Sequence, residues 1–349
     1  MKMEDIAKLA NVSKSAVSLA LSGKPGISSE TRDKILKIVK ETGYIPRSMV
    51  KADQVYGGSN SLRFLVITDS RFMMDQFYKQ PFFMELIHYI EEQCRLRGYS
   101  LIFSTLDIGQ FEREISLLSD DTENSGIILL GTNLNKKQIE EVIGIHTNLV
   151  VLDTYVDELK VDFVVMNNIM GAYQASTYLV EQGHQHIGYV QSDFRMHNFE
   201  SRKRGFCKAQ KELEFQSSEK DIYIMSPTIL SAQEKFQQQI KEKIAKNESL
   251  PTALFCENDY LAISVIKSLN ELGIKVPEDI SVVGFDNIQE SVIISPELTT
   301  VHVDKEMMAS QAVEQVIRLI ENKDRIGLKT IVDTKLIERK SVKKFSSES

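Results

Sequence analysis

The sequence predicts an all-α helix-turn-helix head joined to an α/β core of two doubly wound parallel-sheet subdomains. Three observations carry that prediction. The first stretch, about 45 residues, holds three short amphipathic helical patterns; from Leu62 onward short apolar runs alternate with helical patterns; and the alternation restarts near Met170. At 349 residues and 42% hydrophobic content the chain buries a large core and exceeds one ordinary domain.

In the head, Ile6, Leu9 and Ala10 stand at i, i+3 and i+4, a turn falls at Asn11 and Val12, and Ser13 is placed to cap a second helix whose Val17, Ala20 and Leu21 point inward. Such a pair cannot bury its own apolar face. A third helix supplies the cover: Ser28 caps it, Thr31, Ile35, Ile38 and Val39 give its periodic face, and Gly43 stops it. This is the shape that sets its second helix in the DNA major groove. Ser15, Ser18, Leu19 and Ser22 share the outward face of that helix, with Lys14 beside them. Lys14 suits guanine O6/N7 or a phosphate, Ser15 suits either kind of base edge, and Leu19 has only a thymine methyl to touch. Phosphate contact by Lys14 and packing of Leu19 onto the head are equally open at this level. Charge supports the split, since residues 1–60 carry ten Lys/Arg against six Asp/Glu, a balance of +4 that leaves −11 on the remainder of a chain whose net charge is −7.

A Gly/Ser-rich stretch around Gly57–Ser61 marks a linker. Beyond it we expect a strand over Phe64–Thr68, a helix over Phe82–Arg97, a strand over Leu101–Ser104, a helix near Gln110–Leu118 and a strand over Gly126–Leu130. A helix over Lys136–Ile143 and a strand over Leu149–Leu152 follow. The second round runs through helices Met170–Glu181, Ser201–Leu213, Gln233–Ala245 and Tyr260–Leu272, separated by strands Ile187–Val190, Ile222–Met225, Ala253–Cys256 and Val282–Phe285. A strand Thr300–Val303, a helix Lys305–Ile320 and a strand Thr330–Leu336 complete it, enough to cross back between lobes. The domain reading is a head over 1–46, a linker over 47–61, a core over 62–341 and a polar tail over 342–349. Within the core, 62–164 with 290–324 form one lobe and 165–289 with 325–341 the other. Open parallel sheets bind ligands outside the carboxyl ends of their strands, so two facing lobes hold a small molecule between them.

No run of 18 apolar residues occurs and the N-terminus opens on an amphipathic helix, so a cytoplasmic location with no membrane contact is expected. Cys94, Cys207 and Cys256 lack metal-ligand spacing and read as small apolar residues; no metal, cofactor or catalytic residue is expected. Neither Gly-x-Gly-x-x-Gly nor Gly-x-x-x-x-Gly-Lys-Ser/Thr is present, which removes the phosphate cradle a nucleotide-dependent enzyme needs.

The stretches Asp5-Ile-Ala-Lys-Leu-Ala-Asn-Val-Ser13, Val17-Ser18, Ser29-Glu-Thr-Arg-Asp33, Gly43-Tyr-Ile-Pro46, Gly183-His-Gln-His-Ile-Gly188 and Pro277-Glu-Asp-Ile-Ser-Val-Val-Gly-Phe-Asp286 follow one another in order. Together they resemble the LacI/GalR family of bacterial transcription regulators over nearly the whole length. The resemblance implies a helix-turn-helix head, a hinge and a core like a periplasmic sugar-binding protein. It implies a homodimeric repressor on operator DNA, controlled by a small effector, with a sugar or sugar derivative favoured. An alternative within the family is a catabolite-control regulator whose corepressor is a phosphorylated carrier protein, which needs a basic patch around Arg95 and Arg97.

Beyond Pro46 the resemblance adds Arg47 and Lys51 to the DNA-binding set, but Asp53 stands where relatives carry a leucine that wedges into the minor groove. A carboxylate is unfit for that role, so Val50 or Val55 substitutes in a shifted register or the operator is read without the kink. For the effector, the resemblance carries over Asp153, Arg202, Asn258 and Asp286 as holders of sugar hydroxyls, and Phe82 and Phe83 as aromatic platforms. Met196 stands where the purine repressor carries its base-reading arginine, which argues against a purine. Simpler roles remain open: helix caps for Asp153 and Asp286, an internal ion pair for Arg202, and core packing for Phe83.

Overall fold

The computed structural model describes residues 3–21, 26–28, 31–32, 34–35, 37–38, 60–69, 80–115, 125–322 and 326–345. The chain divides into two compact units, Met1–Ser59 and Asn60–Ser349.

In the first unit, helix α1 (Met3–Ala10) and helix α2 (Lys14–Leu21) flank a turn in which Asn11 takes a left-handed φ of 53° and the Val12 N–H closes on the Ala7 carbonyl at 3.0 Å. Ser13 caps α2 as expected, its hydroxyl accepting from the Ala16 N–H at 3.2 Å, and Ser28 does the same for Thr31. Ala7, Ala10, Val17, Ala20 and Ile35 form the small core. Leu9 corrects the expected stripe: it is 55% exposed, and Ala7 takes the inward place. The small side chain lets the helices approach closely, which a leucine there would prevent.

The second unit contains two six-stranded sheets. Strands β1 (Ser61–Thr68), β2 (Ser100–Asp107), β3 (Gly126–Leu130), β4 (Leu149–Leu152), β5 (Asp162–Met166) and β11 (Lys329–Val332) make the first, in the order β11-β5-β4-β3-β1-β2 and parallel throughout. Strands β6 (Ile187–Ser192), β7 (Ile222–Met225), β8 (Ala253–Cys256), β9 (Ser281–Asp286), β10 (Thr299–Val303) and β12 (Thr334–Ile337) make the second, ordered β12-β10-β9-β8-β6-β7, with β12 antiparallel to β10. Apolar runs such as Gly126–Leu130 and Leu149–Leu152 are buried along their whole length, as strands covered on both faces must be.

The lobe boundaries differ from those expected. β10 pairs with β9 in the second sheet, so the chain returns to the first lobe only with the Lys305–Glu321 helix, which packs on the Pro81–Leu96 helix and on β3, β4 and β5. The single strand expected over Thr330–Leu336 is two strands belonging to different sheets, divided at Asp333. β5 lies where no strand was expected, and the helix expected near Gln110–Leu118 is described over Phe111–Glu114, residues 116–118 lying outside the described ones. The tail is part of the core as far as Phe345: Ser341 bridges β9 and β10, and the Phe345 ring stacks on His184. Of the cysteines, Cys94 and Cys256 are buried as expected and Cys207 is exposed.

Two of the three crossings between lobes are tied together, the Asn167 amide donating to Asp333 at 2.8 Å while its oxygen caps the Asn168–Glu181 helix. That helix lies against the His197–Leu213 helix at very close range. A Cβ on Gly205 would collide with the Ile169 carbonyl, and one on Gly171 would lie 2.7 Å from the Phe285 ring. Gly205→Ala should therefore cost about 1–3 kcal/mol through overpacking, read as a lowered urea midpoint with unchanged slope. A variant as stable as the parent would show that the helices separate freely.

Candidate functional site

The carboxyl ends of the two sheets face each other, and each candidate effector residue follows from one of them. Asp153 leaves β4 with a left-handed φ of 66°, and Phe82 and Phe83 open the helix after β1. Met196 precedes, and Arg202 lies within, the helix after β6; Asn258 caps the Asp259–Glu271 helix after β8; Asp286 ends β9 with a φ of 114°. All seven line one narrow cavity with about 30 Å³ of free space, so a ring enters it only as the lobes part. Gln80, Thr132, Asn198, Phe199 and Tyr260 complete the lining and were not singled out from sequence as binding residues. Signals existed for two of them: Asn198 stands four residues before Arg202, hence on the same helical face, and Tyr260 is two beyond Asn258.

Arg202 is the hub. Its Nε donates to the Asn168 Oδ1 at 2.9 Å, one terminal nitrogen to the Glu257 carbonyl, and the other to the Asp286 carboxylate at 3.0 Å, while the guanidinium lies 3.7 Å from the Phe285 ring centre. Burial raises the Asp286 carboxyl pKa, and the Arg202 and Lys305 charges oppose that rise. Lys305, itself buried, donates to the Asp286 carbonyl at 3.2 Å and pairs with Glu85 at 3.0 Å, so one ammonium touches both lobes.

Asp153 accepts from the Thr132 hydroxyl within its own lobe and from the Asn198 amide of the other lobe, at 2.9 Å on its carboxylate and 3.1 Å on its carbonyl. Burial pushes its pKa up to about 6 against those hydrogen bonds and the Arg202 charge. Of the simpler roles, the ion pair of Arg202 and the core packing of Phe83 are present, whereas neither Asp153 nor Asp286 caps a helix. Asn258 caps its helix, its oxygen accepting from the Leu261 N–H at 2.9 Å, and Arg202 is in an internal ion pair. A set of fixed, charge-polarised donors and acceptors rimmed by Phe82, Phe199 and Tyr260 is suited to holding a polyhydroxylated or heteroaromatic ring.

On the head, Lys14 and Ser15 are exposed at the start of α2, and the Ser15 hydroxyl meets that of Ser13 at 2.8 Å. Ser18 lies on α2. Leu19 is half-buried with its Cδ1 3.1 Å from the place a Gly26 Cβ would occupy, so part of it packs on the head. Ser22, Arg47, Lys51, Val50, Asp53 and Val55 lie outside the described residues. At Arg95 the charge is offset by Glu91 at 3.6 Å and Glu92 at 3.9 Å, whereas Arg97 donates to the neutral Gln93 and Ser310. Among the described residues no group of His, Cys, Asp and Glu is arranged to hold a metal, and no helix is long and apolar enough to cross a membrane.

Comparison with known proteins adds relatives at both ends of the chain. Residues 2–47 match the family described as bacterial regulatory proteins, lacI family, and residues 177–342 match the periplasmic binding protein-like domain. The HTH-type transcriptional repressor PurR of Pasteurella multocida is 28% identical over 98% of both chains. The ribose operon repressor of Haemophilus influenzae is 26% identical over 97% of this chain and 98% of its own. Among solved structures, the lac repressor dimer bound to operator and the anti-inducer ONPF superposes with a TM-score of 0.67 at 21% identity, over 98% of this chain and 99% of that one.

Proposed function

The chain belongs to the LacI/GalR family of bacterial transcription regulators, and on that premise we propose that it is a DNA-binding repressor whose hold on its operator is set by a sugar or sugar derivative bound between the two lobes. The observation that carries the effector class is the convergence of Asp153, Arg202, Asn258 and Asp286 on one cavity. A carboxylate or a guanidinium spans two neighbouring hydroxyls, and a pyranose offers such pairs along its rim. The repressor acts as a homodimer, because one small head makes few contacts and two half-sites supply the specificity.

A purine is the competing effector, since Phe82, Phe199 and Tyr260 border the same cavity. Met196, a side chain without a hydrogen-bond donor, stands where the family resemblance puts a base-reading arginine, which favours the sugar. The offset charge around Arg95 gives no support to a phosphorylated carrier protein as corepressor. Control follows from linkage: the effector changes operator affinity only as far as it discriminates the DNA-bound from the free form.

A thermal-shift screen of sugars, sugar phosphates and purine bases tests this reading. At a hundred times its Kd the true effector adds about 2.7 kcal/mol, a rise of roughly 5–10 °C in Tm. Stabilisation by purines alone would refute the sugar assignment.

A further inference from the structure

A second space adjoins the cavity. Its free space is about 450 Å³ against about 30 Å³ for the inner one, which Asn198 and its partners hold closed. Its walls come from both lobes and a crossing: Tyr155 and Asp157 after β4, His197, Ser201 and Arg204 on the His197–Leu213 helix, and Asn167. The wall between the two spaces is a string of side chains. The Asn168 amide donates to the Asn198 Oδ1 at 2.9 Å, and the Asn198 amide donates to the Asp153 carboxylate at 2.9 Å. Asn198 and Asp153 line the inner cavity, whereas Asn168 lines the outer groove.

One helix serves both spaces through adjacent stripes. Asn198 and Arg202, at i and i+4, face inward, and His197, Ser201 and Arg204, at i, i+4 and i+7, face the groove. The opposite wall is preformed, because the Lys329 ammonium donates to the carbonyls of Val156, Asp157 and Leu159 at 2.9–3.0 Å. The groove chemistry is that of a neutral polyol site. The Arg204 guanidinium donates to the Ser201 hydroxyl at 2.8 Å, with the His197 imidazole 3.4 Å from the same oxygen. The Tyr155 and His197 rings meet edge to face at 6.0 Å, offering aromatic surface to sugar C–H groups. Asp157 and Glu158 balance Arg204 across the groove, so no excess of positive charge invites a phosphate.

Resting on the effector reading above, we propose that the effector is a neutral disaccharide, with one ring in the inner cavity, the second in this groove, and Asn198 turning aside to let the glycosidic link pass. The disaccharide replaces the Asn198 amide as the donor facing Asp153, so the string that divides the spaces in the free protein becomes part of the binding site.

Titration calorimetry on the full chain tests this with maltose, cellobiose, lactose and sucrose against glucose, galactose and fructose. Arg204→Ala and Asp157→Asn serve as groove variants; both positions are exposed, and thermal melts check that the fold is unchanged. We expect at least one disaccharide to bind about tenfold or more tightly than its component monosaccharides. The groove variants should weaken that disaccharide roughly three- to tenfold and leave monosaccharide binding within about twofold. Equal affinity for disaccharide and monosaccharide, or variants that weaken both alike or neither, overturns the proposal while a bound monosaccharide keeps the effector reading. Absence of binding by every carbohydrate overturns both.

Discussion

Arg202→Ala is expected to destabilise the core by about 3–5 kcal/mol and to abolish measurable effector binding. The cost arises from what is left behind more than from what is removed. Asp286 keeps a buried carboxylate with only Lys305 to face it, and the Asn168 oxygen and Glu257 carbonyl each lose a donor. A double-mutant cycle with Asp286→Asn separates the two contributions. With the carboxylate gone there is no stranded charge, so Arg202→Ala should cost roughly 2 kcal/mol less in that background. Strictly additive urea-denaturation energies would show that the pair is not coupled. Arg202→Lys keeps the charge but not the fork that reaches three partners, and should restore part of the stability without restoring binding.

The second large effect is in pH. The folded pKa of Asp153 is raised from 3.8 to about 6 by burial. The native chain therefore holds this proton where the unfolded chain has released it. The stabilisation is fully present below the unfolded value and is lost as pH rises through about 6, a change on the order of 3 kcal/mol across that window. Asp153→Asn mimics the protonated acid, since its amide can donate to the Thr132 hydroxyl while its oxygen still accepts from Asn198. The variant should flatten the stability profile between about pH 4 and 6 and be the more stable protein at pH 7. An unchanged slope in denaturation midpoints across that range would mean that Asp153 titrates at its ordinary value.

How far the sequence foretold this architecture depends on which forces set each element. Short runs bounded by turn or polar residues came through unaltered: Gly126–Leu130, Leu149–Leu152, Ile222–Met225, Ala253–Cys256 and the Lys136–Ile143 helix all have the expected bounds. β5 escaped because it follows β4 with no helix between them, a break in the strand–helix alternation from which the other strands were read. The stretch Thr330–Leu336 reads as one strand because β propensity is local, whereas the break at Asp333 is imposed by two sheets claiming its two halves. Leu9 was misplaced because helical spacing fixes a face only to within a residue or so, and closeness of packing chose alanine.

The cavity was legible at its seven named positions because strand ends and helix starts are visible in a sequence and the family resemblance supplied the roles. Thr132 was not, since its part is to hold Asp153, a partnership across 21 residues that no periodicity records. Asn198 shares a helical face with Arg202, but its partners, in the other lobe and at a crossing, are equally unrecorded by periodicity.

The division of residues 329–337 between two sheets bears on how the protein is made. β11 joins the first sheet beside β5, yet it leaves the ribosome long after β5 at 162–166, and β12 closes the second sheet only then. Neither lobe is finished before residues 329–337 have been synthesised, so both pass through a period with a bare strand edge. A product truncated before residue 326 would keep its whole head but expose β5 and β10, and quality control by proteolysis should meet it before operator DNA does.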